Sequence, residues 1–168
     1  MKAKKLTTVA ILSALSVVFL YLASIIPTGR LALIAVAGLL PAAAVVAYGL
    51  SSGVYCYVVT AVLAFLIVPA KGSALVYTAL FGHYPVLKCL IERLHSIPLE
   101  WLLKLLLFNV LLTVCVFVFK ALFMTVMPAA LTTTVLIYVA GNIAFVAYDL
   151  CFSGIITAYG KLIKKIMK

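Results

Sequence analysis

The chain has 168 residues, 68% of them hydrophobic and 10% charged, with a mean hydropathy of +1.36. No water-soluble domain of this size has an interior large enough to hide so much apolar surface, so the composition excludes a soluble fold and points to an integral membrane protein. The formal charge of +10 comes from 13 Lys and Arg against three acids, and most of the basic residues flank apolar runs as membrane anchors do.

Backbone polar groups in lipid must be satisfied internally, which leaves helices or a closed barrel. Barrel strands alternate apolar and polar residues in short segments. This chain has long unbroken apolar runs instead, so the expectation is an all-α bundle of six transmembrane helices forming a single domain over 1–168.

Helix 1 is predicted over about 5–26. The preceding Met1-Lys2-Ala3-Lys4-Lys5 resembles a signal peptide, but the apolar run exceeds the usual ~7–15 residues of such a segment, so it reads as a retained helix. Pro27-Thr28-Gly29 is a turn signal. Helix 2 spans about 30–50, contains Pro41, and is rich in Ala and Gly, which permits close packing. Ser51-Ser52-Gly53 reads as a turn before helix 3, about 54–68. A loop at Pro69-Ala70-Lys71-Gly72-Ser73 leads to helix 4, about 74–94, with a kink expected at Pro85. His95-Ser96-Ile97-Pro98 breaks the chain before helix 5, about 99–123, and Met127-Pro128 ends that region. Helix 6 covers about 132–161 and leads into a basic tail.

Six spans place both termini on one side. Ten basic residues then fall on that side and three (Arg30, Lys71 and Lys120) on the other, which makes the termini cytoplasmic by the positive-inside rule. Trp101 falls at the inner interface. The cysteines (Cys56, Cys89, Cys115 and Cys151) are isolated within apolar segments and suit core packing, not a disulfide or zinc framework. No phosphate-binding loop, dinucleotide motif or nucleophile elbow is present, so no catalytic residue, cofactor or metal is expected, and no basic stripe suits nucleic acid.

Asp149 is the one acid that lies away from any predicted membrane surface. Such residues are costly and usually face a protein interior or a water-filled cavity. Tyr138, Asn142, Phe145, Asp149, Phe152 and Ile156 share one face of helix 6, and Tyr77, Phe81, Tyr84, Lys88 and Glu92 form a similar stripe on helix 4. Counting inward at about 1.5 Å per residue puts Tyr84 level with Asn142 and Lys88 level with Asp149. The two faces are expected to meet, with Tyr77, Tyr84, Tyr138 and Asn142 lining an outward-facing pocket and Asn109 of helix 5 at similar depth. Lys88 and Asp149 form either the floor of that pocket or a structural clamp beneath it.

Each feature has a plainer reading too. A membrane Asn often bonds a neighbouring helix, an aromatic stripe also suits a core, and His83 lacks a second metal ligand at i+3 or i+4. Glu100 and Lys104 have the spacing of a surface i, i+4 pair. Arg30 and Lys71 serve as interfacial anchors or meet an anionic ligand from the outer side. On helix 1, Ala10 and Ala14 make an AxxxA pair that allows close helix approach, within the bundle or against a partner.

The short six-helix chain opens helix 1 with Lys4-Lys5-Leu6-Thr7-Thr8-Val9-Ala10-Ile11-Leu12-Ser13-Ala14-Leu15. It carries Gly141-Asn142 in helix 6 and ends that helix in Lys161-Leu162-Ile163-Lys164-Lys165. In this it resembles the substrate-binding S component of energy-coupling factor transporters, which take up vitamins and related micronutrients in prokaryotes. The resemblance covers nearly the full chain in architecture. It implies a plasma-membrane protein without enzymatic activity, which binds a small molecule on the outer face. It also implies that Ala10 and Ala14 dock onto a transmembrane coupling subunit working with two ATPases. The loops at Pro27–Arg30 and Pro69–Ser73 would enclose the substrate. The Met-His motif of metal-specific relatives is absent from the N-terminus, which disfavours nickel and cobalt and leaves the substrate open. Two other functions suit the composition: a membrane enzyme or assembly factor acting on lipid-linked substrates, and an ion-coupled carrier using Asp149.

Overall fold

A computed structural model describes residues 2–26, 28–92, 96–123 and 131–166. The described residues are entirely helical or in short turns, and six helices are long and apolar enough to cross a membrane, as a multi-pass membrane protein requires. The elements are α1 (Lys2–Ile25), α2 (Arg30–Tyr48), α3 (Leu50–Ile67), α4 (Lys71–Val76), a π-helical turn (Tyr77–Phe81), α5 (Tyr84–Ile91), α6 (Ile97–Phe123) and α7 (Leu131–Ile166).

The first three helices pack against one another, and their small residues make this possible. Gly53 of α3 sits so close to α2 that an added Cβ would meet Val45 Cγ2 at 2.2 Å. The turn between these helices falls at Gly49, not at Ser51-Ser52-Gly53 as the polar cluster suggests. Gly49 adopts φ +87°, a left-handed conformation that side-chain-bearing residues rarely tolerate. Ser52 instead bonds back to Tyr48 O at 3.1 Å, within the first turn of α3. Lys5 Nζ donates to Ser51 Oγ at 3.1 Å, which sets the start of α1 beside the α2–α3 turn.

The fourth span departs most from expectation. A continuous helix over 74–94 kinked at Pro85 does not form; α4 starts at Lys71, and the span breaks into two helices joined by the π-turn and Gly82-His83. Pro85 occupies the first turn of α5, where its missing N–H leaves no helical bond unmade. In the π-turn Gly82 N–H bonds Tyr77 O at 2.7 Å, an i→i+5 bond that deprives Thr78 O of its regular donor. Tyr57 OH and His83 Nδ1 take that carbonyl, each at 3.1 Å. A carbonyl only accepts, so Nδ1 carries the proton.

Irregular backbone at membrane depth survives only where protein or a cavity covers it. The fourth span is the most enclosed of the six, with 39% of its residues buried against 17% in the apolar windows of α6 and α7. It touches α1, α2, α3 and α6, and its side chains reach α7. α7 has 36 residues and is thus about 54 Å long, more than a bilayer core needs. The expected turn at Met127-Pro128 lies outside the described residues, as do Pro27, Arg93 and His95.

Candidate functional site

The broken fourth span passes three groups of polar residues. Lys71 and Ser73 stand at its start, Tyr77 and His83 at the break, and Tyr84, Lys88 and Glu92 along α5.

The group on α5 is a charge network. Lys88 Nζ donates to Asp149 Oδ1, to Glu92 Oε1 at 2.8 Å and to Ser153 Oγ at 2.9 Å. Lys104 Nζ of α6 donates to the same Glu92 oxygen at 2.9 Å and lies 3.4 Å from Asp149 Oδ2. Tyr84 OH donates to Asp149 Oδ1. Two lysines therefore face two carboxylates, and both Asp149 oxygens have donors. Lys88, Lys104 and Asp149 are nearly fully buried, so this neutrality is what makes the cluster tolerable. Glu92 is 42% exposed. A cavity of about 270 Å³ lined by Pro85, Lys88, Glu92 and Ile156 opens beside it. Burial opposes ionisation of Glu92, but the two lysine donors outweigh it and hold the carboxyl below its usual range.

Aromatic rings wall the network. Tyr84 meets Phe145 and Phe152 edge-on at 5.3 and 5.8 Å, Phe108 stacks on Phe145 at 4.3 Å, and Lys88 Nζ lies 5.7 Å from the Phe152 ring centre.

Asn109 and Asn142 form a separate seam. Their amides bond reciprocally at 2.9 and 3.0 Å, and each also donates to its own helix, to Leu105 O and Tyr138 O, both at 2.8 Å. Thr113 Oγ1 and Tyr138 OH pair at 2.7 Å in the same seam. These residues join α6 to α7. Tyr84, placed level with Asn142 by counting along an unbroken helix, reaches Asp149 instead, at the same oxygen that Lys88 bonds. Tyr77 lies with neither group: it is fully buried among Leu20, Ala23, Ile34, Ala37, Ala64, Val68 and Ala74.

At the break, the hydroxyls of Tyr77, Thr60 and Tyr148 and His83 Nε2 are buried without hydrogen-bond partners among the described residues. Tyr148 and Thr60 carried no sequence signal, since a lone Tyr or Thr in an apolar run is ordinary. Lys104 has the spacing of a surface pair with Glu100, and Glu92 ends the helix 4 stripe; only the approach of α5 to α6 brings the two together.

Arg30 and Lys71, 41 positions apart, line one cavity of about 420 Å³ at the end of the bundle away from Lys5 and Gly49. Ala10 and Ala14 are both exposed on α1. Ser13 and Ser16, on the other side of that helix, are buried and donate to Cys56 O at 3.4 Å and Ala37 O at 2.9 Å. No protein-family profile, curated protein or solved structure matches the chain.

Proposed function

We propose that the chain is the substrate-binding membrane subunit of an energy-coupling factor type uptake transporter. In this reading it lies in the plasma membrane of a prokaryotic cell with both termini in the cytoplasm, binds a small micronutrient at its outer end, and relies on partner subunits for ATP hydrolysis.

The observation that carries this reading is the interrupted fourth span. Substrate sites of many membrane transporters are built on discontinuous helices; here the carbonyl that the interruption frees, Thr78 O, is taken by Tyr57 and His83, and it is the half-helix before the break that faces a cavity. Here the first half of the span lines a cavity at one end, and the second half anchors the charge network near the other. One element therefore links a ligand-sized opening to the charge network at the base of the bundle. The exposed Ala10 and Ala14 add support, since small residues on an unpartnered face allow close approach of another helix. A carrier that cycles Asp149 through ion binding fits less well, because both its oxygens are occupied by Tyr84, Lys88 and Lys104.

The test is purification of the tagged chain from native membranes under mild conditions. ATPase subunits, a coupling protein and a small molecule are expected to accompany it. Ala10→Trp and Ala14→Trp are expected to remove the partners while the chain stays folded. Intact assembly and uptake in both variants would show that this face does not dock.

A further inference from the structure

The two cations at the cavity between the α1–α2 and α3–α4 turns have no counter-ion in this chain. The sequence contains three acids. Glu92 and Asp149 are committed to Lys88 and Lys104. Glu100 stands in the first turn of α6, at the end of the bundle away from Arg30. The negative charge that balances Arg30 and Lys71 must come from outside the polypeptide.

Three features of the cavity indicate what form that charge takes. Lys71 Nζ donates to Phe65 O in the last turn of α3 at 2.6 Å, which holds its stem at the rim and leaves further N–H groups free to donate. Ser73, which lines the cavity, is 3% exposed, and its Oγ has no hydrogen-bond partner among the described residues. A buried hydroxyl without a partner is costly, and an acceptor that arrives from elsewhere would relieve that cost. α2 begins at this rim, and its cap residue Gly29 has no side chain to occupy the first N–H groups. Leu31, Ile34 and Val76 supply an apolar wall. The volume of about 420 Å³ falls within the range of small-molecule sites.

We infer that this cavity binds an oxyanion, a carboxylate or phosphate, with Arg30 and Lys71 as its counter-charges and the Ser73 hydroxyl, covered in the free chain, turning to donate to it. Resting on the uptake reading above, this makes the substrate a small acidic molecule with an apolar body. The same oxyanion chemistry is available from the headgroup of an anionic lipid, so the test separates the two sources.

The purified full chain in an uncharged maltoside detergent is titrated calorimetrically with benzoate, its neutral counterpart benzamide, inorganic phosphate and dihexanoyl phosphatidylglycerol. Saturable, salt-sensitive binding of benzoate or inorganic phosphate is expected, with none of benzamide. Arg30→Gln and Lys71→Gln should each weaken it by about tenfold or more, and Ser73→Ala by less. Binding of phosphatidylglycerol alone, with the same sensitivity to the three variants, upholds the oxyanion site and assigns it to a lipid headgroup. Equal binding of benzoate and benzamide, or unchanged affinity in Arg30→Gln and Lys71→Gln, overturns the assignment. Co-purification of ATPase subunits reports on the uptake reading separately. Partners present without oxyanion binding would sink the oxyanion site alone, and oxyanion binding without partners would sink the uptake role alone.

Discussion

Two of the regions that hold positive charge in this bundle handle it in opposite ways. Lys88 and Lys104 are buried and fully matched by Asp149 and Glu92. Arg30 and Lys71 are exposed at a cavity rim and matched by no acid of the chain. A buried charge without compensation is too costly to keep, so a neutral cluster is what helix assembly requires. Cations at a rim remain hydrated and can stay unmatched until a ligand arrives. The contrast teaches that complete pairing marks residues that hold the helices together, and incomplete pairing marks residues that await something else.

The largest expected effect breaks the paired region. Asp149→Ala leaves two buried lysines facing one carboxylate, and should lower stability by about 3–5 kcal/mol, seen as a large fall in melting temperature in detergent. Removing charges in pairs sharpens the point. Lys88→Met combined with Asp149→Leu keeps Lys104 and Glu92 balanced, and should recover most of that loss. A double variant as unstable as Asp149→Ala would mean that packing around Tyr84 and Phe152, not charge balance, is what matters.

The amide seam should respond less. Asn142→Ala removes one interhelical amide pair and should cost about 0.6–1.7 kcal/mol, the range for hydrogen bonds between membrane helices. If Asp149→Asn and Asn142→Ala both bind ligand as the unchanged chain does, neither residue contacts substrate. A smaller effect is expected from acid. Glu92 is ionised more readily in the fold than in the unfolded chain, whose reference value is 4.5. Its contribution is therefore present above about pH 4.5 and lost as pH falls through the lowered folded value. Melting temperature should drop on acidification through that window, and Glu92→Gln should flatten the drop. At the other region, Arg30→Gln and Lys71→Gln should leave stability within about 0.5 kcal/mol of the unchanged chain while altering oxyanion affinity.

The six apolar spans were legible because hydropathy and length dictate them. The closeness of Lys88 and Asp149 was also within reach, since both lie on stripes at helical spacing and opposite charges in an apolar setting attract strongly. The partners of Tyr84 and Tyr77 were not legible. Tyr77 is set by the packing of α1, α2 and α3 around α4, and Tyr84 by the approach of α5 to α7, which no local pattern specifies. The grouping of Arg30, Lys71 and Ser73 was half visible: turn positions put both cations at one end, but nothing local shows that a cavity lies between them or that the Ser73 hydroxyl is left without a partner there.

The sequence by itself determined a helical chain with six spans able to cross a membrane, three acids, and a surplus of positive charge. Those follow from composition and period, which act through the solvent and need no particular neighbour. Only the tertiary structure decided which charges are neutralised and which are not. That depends on the approach of α5, α6 and α7 at one end and of the α1–α2 and α3–α4 turns at the other. Pairing falls off within a few ångströms, and separation along the chain carries no information at that scale.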